Sequence, residues 1–311
     1  MGQMVIRVKG KPAYYDLYDL LPSELSLTSK IVKQTLMFTL NCKGKLLVTD
    51  KPLIMGIINA TPDSFYEGSR YTGVDAILQQ AEQMLNEGAD ILDIGGQSTR
   101  PGSEQVTAEE ELKRVLEGIG AIHTKFPPAI ISVDTYYSLV AKEATAAGAS
   151  IVNDISAGSI DAEMIPTVAS LQVPYVLMHM KGTPRTMQEA AHYENVTKEV
   201  LDFFIVKVNE LHKAGIHDII IDPGFGFGKN IAHNFELLRN LSVFKMLECP
   251  VLLGISRKST ISKTLGVTAA QALNGTTVLH TIGLMNGANI LRVHDVKEAR
   301  ETIQLVKACL G

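Results

Sequence analysis

At eight places in the 311-residue sequence, a polar or charged side chain directly follows a short apolar run. Carboxylates, amides and cations are the groups that bind polar substrates and anions. Asp and Asn could instead begin turns or cap helices, but this alternative does not account for the lysine, arginine and histidine members. The residues are Asn59, Asp93, Asp134, Asn153 with Asp154, His179, Asp222, Lys258, and Arg292 with His294.

The apolar runs predict eight short strands, and amphipathic stretches between them predict helices. The predicted strands are 53–59, 90–94, 129–134, 150–154, 173–179, 218–222, 250–255 and 289–293. The predicted helices are about 74–88, 107–125, 137–147, 161–171, 194–214, 232–242, 268–286 and 295–309. A doubly wound sheet has the same local pattern, but eight strand–helix units favour an α/β fold of the (β/α)8 TIM-barrel type. The polar residues would then meet on the carboxyl-terminal face of the barrel.

The chain before the first barrel strand divides into two parts. Residues 38–49 read FTLNCKGKLLVT and predict a β-hairpin that turns at Lys43-Gly44 and closes the bottom of the barrel. Residues 1–36 carry no motif, and we expect one short helix near 22–35. The expected organisation is an N-terminal appendage of uncertain role over 1–36 and one barrel domain over 37–311.

Composition excludes several classes of protein. The formal net charge of −4 does not suggest a nucleic-acid binder, and no apolar run approaches the 18 residues of a membrane span. We therefore expect no nucleic-acid or membrane partner. The N-terminus has no signal-peptide pattern, and the three scattered cysteines predict neither a disulfide framework nor a metal cluster. A reducing cytoplasm is the simplest interpretation.

Three loops after predicted strands contain closely spaced glycine, proline and polar residues. The loop DPGFGFGK, residues 222–229, matches neither the Walker A motif nor the GxGxxG fingerprint. The loop GGQSTRPGSE, residues 95–104, presents hydroxyls and a guanidinium that suit an anionic ligand, although a solvated turn is the simpler interpretation of this loop alone. In the loop 59–68, Asn59, Asp63 and Glu67 offer hard oxygen ligands, which suit Mg2+ rather than Zn2+.

Eight segments, one at each strand end, together resemble the dihydropteroate synthase family. The resemblance covers about 38–311 and rests on segments that are individually weak but occur in register. They are IMGIINATPDSF, DIGGQSTRPGSE, ISVDT, IVNDISAG, LMHMKGTP, IDPGFGFGK, GISRKS and ILRVHDV.

The resemblance implies a transferase of folate biosynthesis. Such an enzyme condenses 6-hydroxymethyl-7,8-dihydropterin pyrophosphate with p-aminobenzoate to give 7,8-dihydropteroate and pyrophosphate, and sulfonamides that mimic p-aminobenzoate inhibit it. We expect pyrophosphate to leave before the amine attacks. The resemblance also implies a homodimer, for which the apolar stretch 269–285 is the candidate face.

The resemblance further implies a role for individual residues. Catalytic roles fall to Asp134, Lys258, Arg100 and Asp93. The pterin would bind Asp134, Asn153, Met178, Asp222, Phe227 and Lys258. Pyrophosphate would bind Asn59, Thr99, Arg100, Arg292 and His294, with Mg2+ near Asn59. The p-aminobenzoate site would be formed by Phe65, Pro101 and Ser256.

The chain departs from the family pattern at one position, and two functions other than the synthase have to be considered. The chain has Tyr66-Glu67 where family members commonly carry Ser-Asp, so an indirect metal role for Glu67 is weaker than that of Asn59. A methyltransferase that uses a methylated tetrahydropterin and a corrinoid partner shares the pterin-binding barrel. A non-catalytic pterin-binding protein would keep Asp134, Asn153 and Asp222. Neither alternative has pyrophosphate to hold, so the segments STRPG, SRKS and RVHD favour the synthase.

Overall fold

The computed structural model describes residues 3–8, 11–16, 37–49, 51–61, 73–98, 105–187 and 189–310. The chain separates into two compact units, residues 1–36 and Met37–Cys309. In the first unit, strands β1 (Gln3–Val8) and β2 (Lys11–Asp16) pair antiparallel, from Gln3 with Asp16 to Val8 with Lys11. This hairpin differs from the expectation for residues 1–36, which included no strand. The helix expected near 22–35 lies outside the described residues.

The second unit begins with an antiparallel hairpin and continues as a barrel of parallel strands. The hairpin strands are β3 (Phe38–Cys42) and β4 (Lys45–Thr49), and they turn at Lys43-Gly44 as predicted. The barrel strands are β5 (Leu53–Asn59), β6 (Ile91–Gly95), β7 (Ile130–Asp134), β8 (Ile151–Asp154), β9 (Tyr175–Met178), β10 (Ile219–Asp222), β11 (Leu252–Leu253) and β12 (Ile290–Val293).

Helices follow the barrel strands and cover the outside of the sheet. They are α1 (Gly73–Glu87), α2 (Ala108–Lys125), α3 (Ser138–Ala147), α4 (Met164–Leu171), α5 (Val196–Lys213), α6 (Ile231–Arg239), α7 (Ser259–Leu265), α8 (Leu273–Met285) and α9 (Val296–Leu310), with a 3-10 helix at Leu241–Leu247. Within the described residues, no helix has the length and apolar character needed to cross a membrane.

The eight parallel strands close into the predicted TIM barrel. The ladder runs β10-β9-β8-β7-β6-β5-β12-β11, so both β10 and β11 lie at its ends. A parallel bridge between Ile221 and Val251 joins these ends, and the Ile221 amide donates to the Pro250 carbonyl at 2.9 Å. The barrel strands are rich in Ile, Leu and Val because both faces of a parallel sheet are buried in this fold.

The hairpin seals the amino-terminal end of the barrel. Leu40 and Cys42 on β3 are buried and pack against the apolar residues that fill the barrel interior at that end. These interior residues are Leu53, Met55, Ile91, Ile151, Val176, Ile220, Leu252 and Ile290. The packing therefore shows that the hairpin closes the bottom of the barrel, as predicted.

The sequence prediction differs most from the structure after β11, where only two residues form a strand and an additional helix, α7, precedes α8. Gly266 ends α7 with φ of +67°, a conformation that favours glycine. The Arg257 guanidinium donates to the carbonyls of Ala269 and Ala270, and residues 268–272 form turns in which the Gln271 and Ala272 amides donate to the carbonyls of Thr268 and Ala269. Helix α8 begins at Leu273 rather than at the predicted residue 268.

Replacement of Leu40 by alanine tests the closure. Because the Leu40 side chain is 2% exposed inside the barrel-bottom cluster, we expect Leu40→Ala to lower the free energy of unfolding by about 2–5 kcal/mol. Leu46 on the partner strand is 67% exposed, so Leu46→Ala is a matched control that should change it by less than about 0.5 kcal/mol. Urea unfolding measures both variants, and equal losses would contradict the closure.

Candidate active site

The polar residues predicted at strand ends come together at the carboxyl-terminal mouth of the barrel. Asp134 and Asn153 are directly paired in the ladder between β7 and β8, and Gly95 of β6 is paired with Asp134. Side chains of successive residues alternate between the two faces of a strand, and four of the polar residues lie two positions beyond an apolar residue of the barrel interior: Asp93, Asn153, Asp222 and Arg292. Asp134 instead lies two positions beyond the buried Ser132. The mouth is therefore polar above an apolar interior.

A buried ion network lies at the centre of the mouth. Arg292 of β12 donates from Nε to Asp93 Oδ2 at 2.6 Å and from a terminal nitrogen to Asp134 Oδ2 at 2.5 Å. The Asn153 amide also donates to Asp93 Oδ2, at 3.0 Å. Asp93 is fully buried, so its negative charge depends on these donors. The network joins strands that are far apart in sequence.

Burial and ion pairing act against each other in this network. Burial raises the pKa of the Asp134 carboxyl, and the neighbouring Arg292 opposes that rise. Burial alone would lower the pKa of Arg292, but Asp93 and Asp134 raise it above its usual value. Arg292 therefore stays charged and holds two carboxylates at the mouth.

A second pair of charges lies beside the loop that follows β10. Lys258, the N-cap residue of α7, donates from Nζ to the Phe225 carbonyl, and this Nζ lies 4.6 Å from the centre of the Phe227 ring. Asp222 is buried and its Oδ1 accepts from the Gly224 amide at 2.7 Å. Burial lowers the pKa of Lys258 to about 8 and raises that of Asp222, and each charge moderates the shift of the other.

Two further predicted positions flank this centre. Ser256 Oγ and His294 Nδ1 lie 3.0 Å apart, after β11 and β12 respectively. Met178 and Phe227 are both buried and belong to one small apolar cluster with Tyr136, which borders the polar centre. The mouth thus combines an apolar wall, a carboxylate and amide set, and a group of donors.

Comparison with known proteins assigns the chain to a family. The sequence profile of the family described as pterin binding enzyme matches residues 55–294. The chain belongs to this pterin binding enzyme family. It is similar to the dihydropteroate synthase of Escherichia coli strain K12, with 43% identity over 271 residues that cover 86% of this chain and 95% of the relative.

Solved structures of the family match the fold closely. The dihydropteroate synthase of Xanthomonas albilineans in complex with 7,8-dihydropteroate superposes with a TM-score of 0.80 at 38% identity, covering 88% of this chain and 98% of the other. The Yersinia pestis dihydropteroate synthase in complex with a sulfonamide drug superposes with a TM-score of 0.83 at 40% identity, covering 88% of this chain and 99% of the other.

The structure brings together most of the predicted site residues, but not all can be described. Asn59 lies exposed at the end of β5. Phe65, Glu67, Thr99, Arg100 and Pro101 lie outside the described residues. The predictions for their roles therefore remain predictions. The described members cover the expected pterin set and part of the expected pyrophosphate set.

Sequence reasoning missed the position of Lys229. A lysine in a glycine-rich loop is ordinarily solvated, but the Lys229 side chain is buried beside His179. The only signal in the sequence is its place after three alternating glycines, which indicate a backbone in close contact with something. Burial of Lys229 depends on contacts with another loop, and local sequence does not reveal those contacts.

The expected magnesium site has one described ligand. Among the described residues, no group of three or more His, Cys, Asp or Glu side chains could hold a metal ion. Mg2+ commonly keeps several waters and binds through one or two protein oxygens together with substrate phosphates. The amide oxygen of Asn59, exposed at the barrel mouth, fits that limited role.

Replacement of Arg292 tests the ion network. In Arg292→Met, Asp93 and Asp134 would be buried without their cation, so we expect a loss of about 3–5 kcal/mol in the free energy of unfolding near neutral pH. Without the cation, the pKa of the Asp134 carboxyl in the folded variant should rise further above its usual value than it does in the unchanged protein, because Arg292 opposes the effect of burial. The folded variant would then bind more protons, so the loss should shrink as pH falls.

Urea unfolding at pH 8 and pH 5.5 measures this dependence. Lys198→Ala is the control, because Lys198 and Asp202 form an exposed pair on α5 whose removal should cost at most about 0.5 kcal/mol. An Arg292→Met loss that is small, or equal at the two pH values, would contradict the network as described.

Proposed function

We propose that this chain catalyses the condensation of 6-hydroxymethyl-7,8-dihydropterin pyrophosphate with p-aminobenzoate, as a transferase of folate biosynthesis. The observation that carries the proposal is the convergence of Asp134, Asn153, Asp222 and Lys258 beside Arg292 at the mouth of the barrel. The relatives named above are dihydropteroate synthases, and this chain matches them over nearly their whole length. This match supports the same reaction here.

The pterin would be recognised by its hydrogen-bonding edge. That edge presents a guanidine-like set of donors next to a ring nitrogen and a carbonyl acceptor. The carboxylates of Asp134 and Asp222 and the amide of Asn153 match the donors, and Lys258 matches the carbonyl. Met178 and Phe227 would contact the ring. Analogues without these polar groups would leave buried partners unpaired and should bind poorly.

The reaction would begin with departure of pyrophosphate. The bond between the exocyclic carbon and oxygen breaks, and pyrophosphate leaves with the electron pair. Arg292, His294 and Ser256 would stabilise the charge that develops on it. The electron-rich dihydropterin shares the positive charge left on the exocyclic carbon, and the Asp134 carboxylate stabilises that cation. The amine nitrogen of p-aminobenzoate then bonds to the carbon, and its proton passes to the released pyrophosphate or to water.

The loops after β5 and β6 would complete the site. We assign Thr99, Arg100 and Asn59 to pyrophosphate, Arg100 also to catalysis, and Phe65 and Pro101 with Ser256 to p-aminobenzoate. Mg2+ bound at Asn59 would supply further positive charge to the phosphates. Asp93, through its bonds to Arg292 and Asn153, would hold both in position. Sulfonamides that resemble p-aminobenzoate would compete for its site.

Pyrophosphate release in the presence of both substrates tests the function. We expect the purified protein to release pyrophosphate only when the pterin pyrophosphate and p-aminobenzoate are both present. Lys258→Ala should reduce kcat/KM for the pterin substrate by about 10–100-fold, since a hydrogen bond to a charged group contributes about 1.5–3 kcal/mol. Thermal stability should be retained, because burial already disfavours the charged form of Lys258.

Lys263→Ala is the matched control for Lys258→Ala, because Lys263 lies exposed on α7, the helix that Lys258 caps. Its kcat/KM should equal that of the unchanged protein. Release of pyrophosphate without p-aminobenzoate at the same rate would indicate a hydrolase instead. Loss of fold in parallel with activity in Lys258→Ala would contradict the role of this lysine.

We also propose that the chain forms a homodimer through α8. Val278, Ile282 and Met285 recur at helical spacing and are 49%, 39% and 57% exposed. An exposed apolar face of this kind indicates a protein contact. We expect the protein to sediment as a dimer at micromolar concentration and Ile282→Glu to sediment as a monomer. Val206→Glu, on the exposed face of α5, should stay dimeric. A monomeric unchanged protein would contradict the proposal.

Two further assignments complete the proposal. Residues 1–36 form an appendage that supplies no group to the reaction, and residues 37–311 form the catalytic barrel domain. The reaction takes place in the cytoplasm, without nucleic-acid or membrane partners. The unpaired thiols of Cys42, Cys249 and Cys309 support a reducing environment.

A further inference from the structure

Lys229, in the loop between β10 and α6, is a buried cation surrounded by acceptors. Its side chain is 3% exposed. The ammonium Nζ lies 2.9 Å from His179 Nδ1, 3.0 Å from the Gly224 carbonyl and 3.0 Å from the Phe227 carbonyl. The His179 carbonyl is next, at 3.2 Å. An ammonium has three N–H donors, so the three nearest acceptors can use all of them.

The acceptors of Lys229 belong to two neighbouring loops. His179 directly follows β9, whereas Gly224 and Phe227 lie in the loop after β10. The two loops are in close contact at Gly224, where a Cβ would lie 1.9 Å from the His179 carbonyl oxygen and where φ is +72°. Lys229 therefore links the two loops by hydrogen bonds at a point where their backbones are already in contact.

The protonation of His179 agrees with this arrangement. Burial and the nearby Lys229 charge lower the pKa of His179 to about 2, so the ring is neutral. The hydrogen bond to the ammonium assigns the lone pair to Nδ1 and the proton to Nε2. The ring of His179 also packs edge-on against Phe203 of α5, at 4.9 Å between centroids, which fixes its orientation.

Several residues that the proposed function assigns to the pterin lie in these two loops, directly beside them or in hydrogen-bond contact with them. Met178 directly precedes His179, and Phe227 supplies one of the carbonyls. The Gly224 amide donates to Asp222, and the Phe225 carbonyl accepts from Lys258. Any change in the separation of the loops would therefore move both apolar contacts of the pterin and two of its polar partners.

We propose that Lys229 is a positioning residue that sets the width of the pterin slot between Met178 and Phe227 and orients Asp222 and Lys258. This inference rests on the proposed function, because the slot matters only if the chain binds a pterin. Lys229 itself does not contact the ligand, since all of its donors are used within the protein. Its effect should fall on the pterin and spare pyrophosphate, whose assigned groups Arg292 and His294 lie on β12 and directly after it.

Calorimetry on Lys229→Met tests the inference. Methionine has nearly the same length but donates no hydrogen bond. We expect the Kd for 6-hydroxymethylpterin to rise by at least about tenfold, which corresponds to about 1.4 kcal/mol. The Kd for pyrophosphate alone should stay within about twofold, or about 0.4 kcal/mol. General loss of structure would instead weaken both ligands together.

Arg300→Met is the control for the loss of a cation at a partly buried position away from the site. Arg300 donates to Asp90 and to the Gly88 carbonyl at the opposite end of the barrel. Its removal should lower the midpoint of thermal unfolding without changing the Kd for the pterin. An equal rise in the pterin Kd for both variants would overturn the inference, because it would reflect stability alone.

Two substitutions of His179 give a second test that keeps Lys229 in place. In His179→Asn, the amide oxygen can take the position of Nδ1, so pterin affinity should stay within about threefold. His179→Leu keeps the apolar contact with Phe203 but offers no acceptor, so the affinity should fall by about tenfold. The same affinity for both variants would count against the fastening of the loops.

The outcomes separate this inference from the function on which it rests. If the unchanged protein does not bind 6-hydroxymethylpterin, the proposed function fails, and this inference fails with it. If the unchanged protein binds the pterin and Lys229→Met binds it equally well, the inference alone is overturned.

Discussion

The guanidinium of Arg292, held between the carboxylates of Asp93 and Asp134, is the interaction on which the architecture of the mouth depends. Two carboxylates this close would repel each other and resist ionisation if no cation lay between them. A buried ion network rarely stabilises a fold more than well-packed apolar side chains would. The arrangement is therefore better explained by what the charges do for a ligand, while the apolar layer and the hairpin supply the stability.

The sealed amino-terminal end contributes to the strength of these charges. Leu40 and Cys42 of the hairpin close the apolar interior, so water cannot reach the ion network from below. Charges that rest on an apolar layer are screened less than charges in water, and each hydrogen bond from them to a ligand is correspondingly stronger. The hairpin thus influences the electrostatics of the site, although it lies at the opposite end of the barrel.

The sequence predicted the fold and the identity of the site residues better than the contacts among them. A polar residue lies at or near the end of each barrel strand, beside an apolar run, so the strands and their ends could be located. The Lys-Gly-Lys triplet at Lys43–Lys45 marked the turn of the second hairpin, and the same triplet at Lys9–Lys11 lies between the end of β1 and the start of β2. Helix α8 begins later than predicted, and the bonds of Arg257 to the carbonyls of Ala269 and Ala270 that precede it have no local signature in the sequence. The burial of Lys229 was missed for the same reason.

Three basic residues near the mouth differ in their partners, and the difference matches the role that each would have. Arg292 faces carboxylates, which raise its pKa, so it keeps its charge whether or not an anion is bound. Burial lowers the pKa of Lys229 to about 7, and its nearest partners are carbonyls and a neutral imidazole. Lys258 lies between these extremes, with a pKa of about 8. A group that must stabilise a leaving anion needs permanent charge, which arginine provides. A group that donates to a neutral ring carbonyl, or that only links two loops by hydrogen bonds, does not need permanent charge. Lysine is therefore sufficient at both positions.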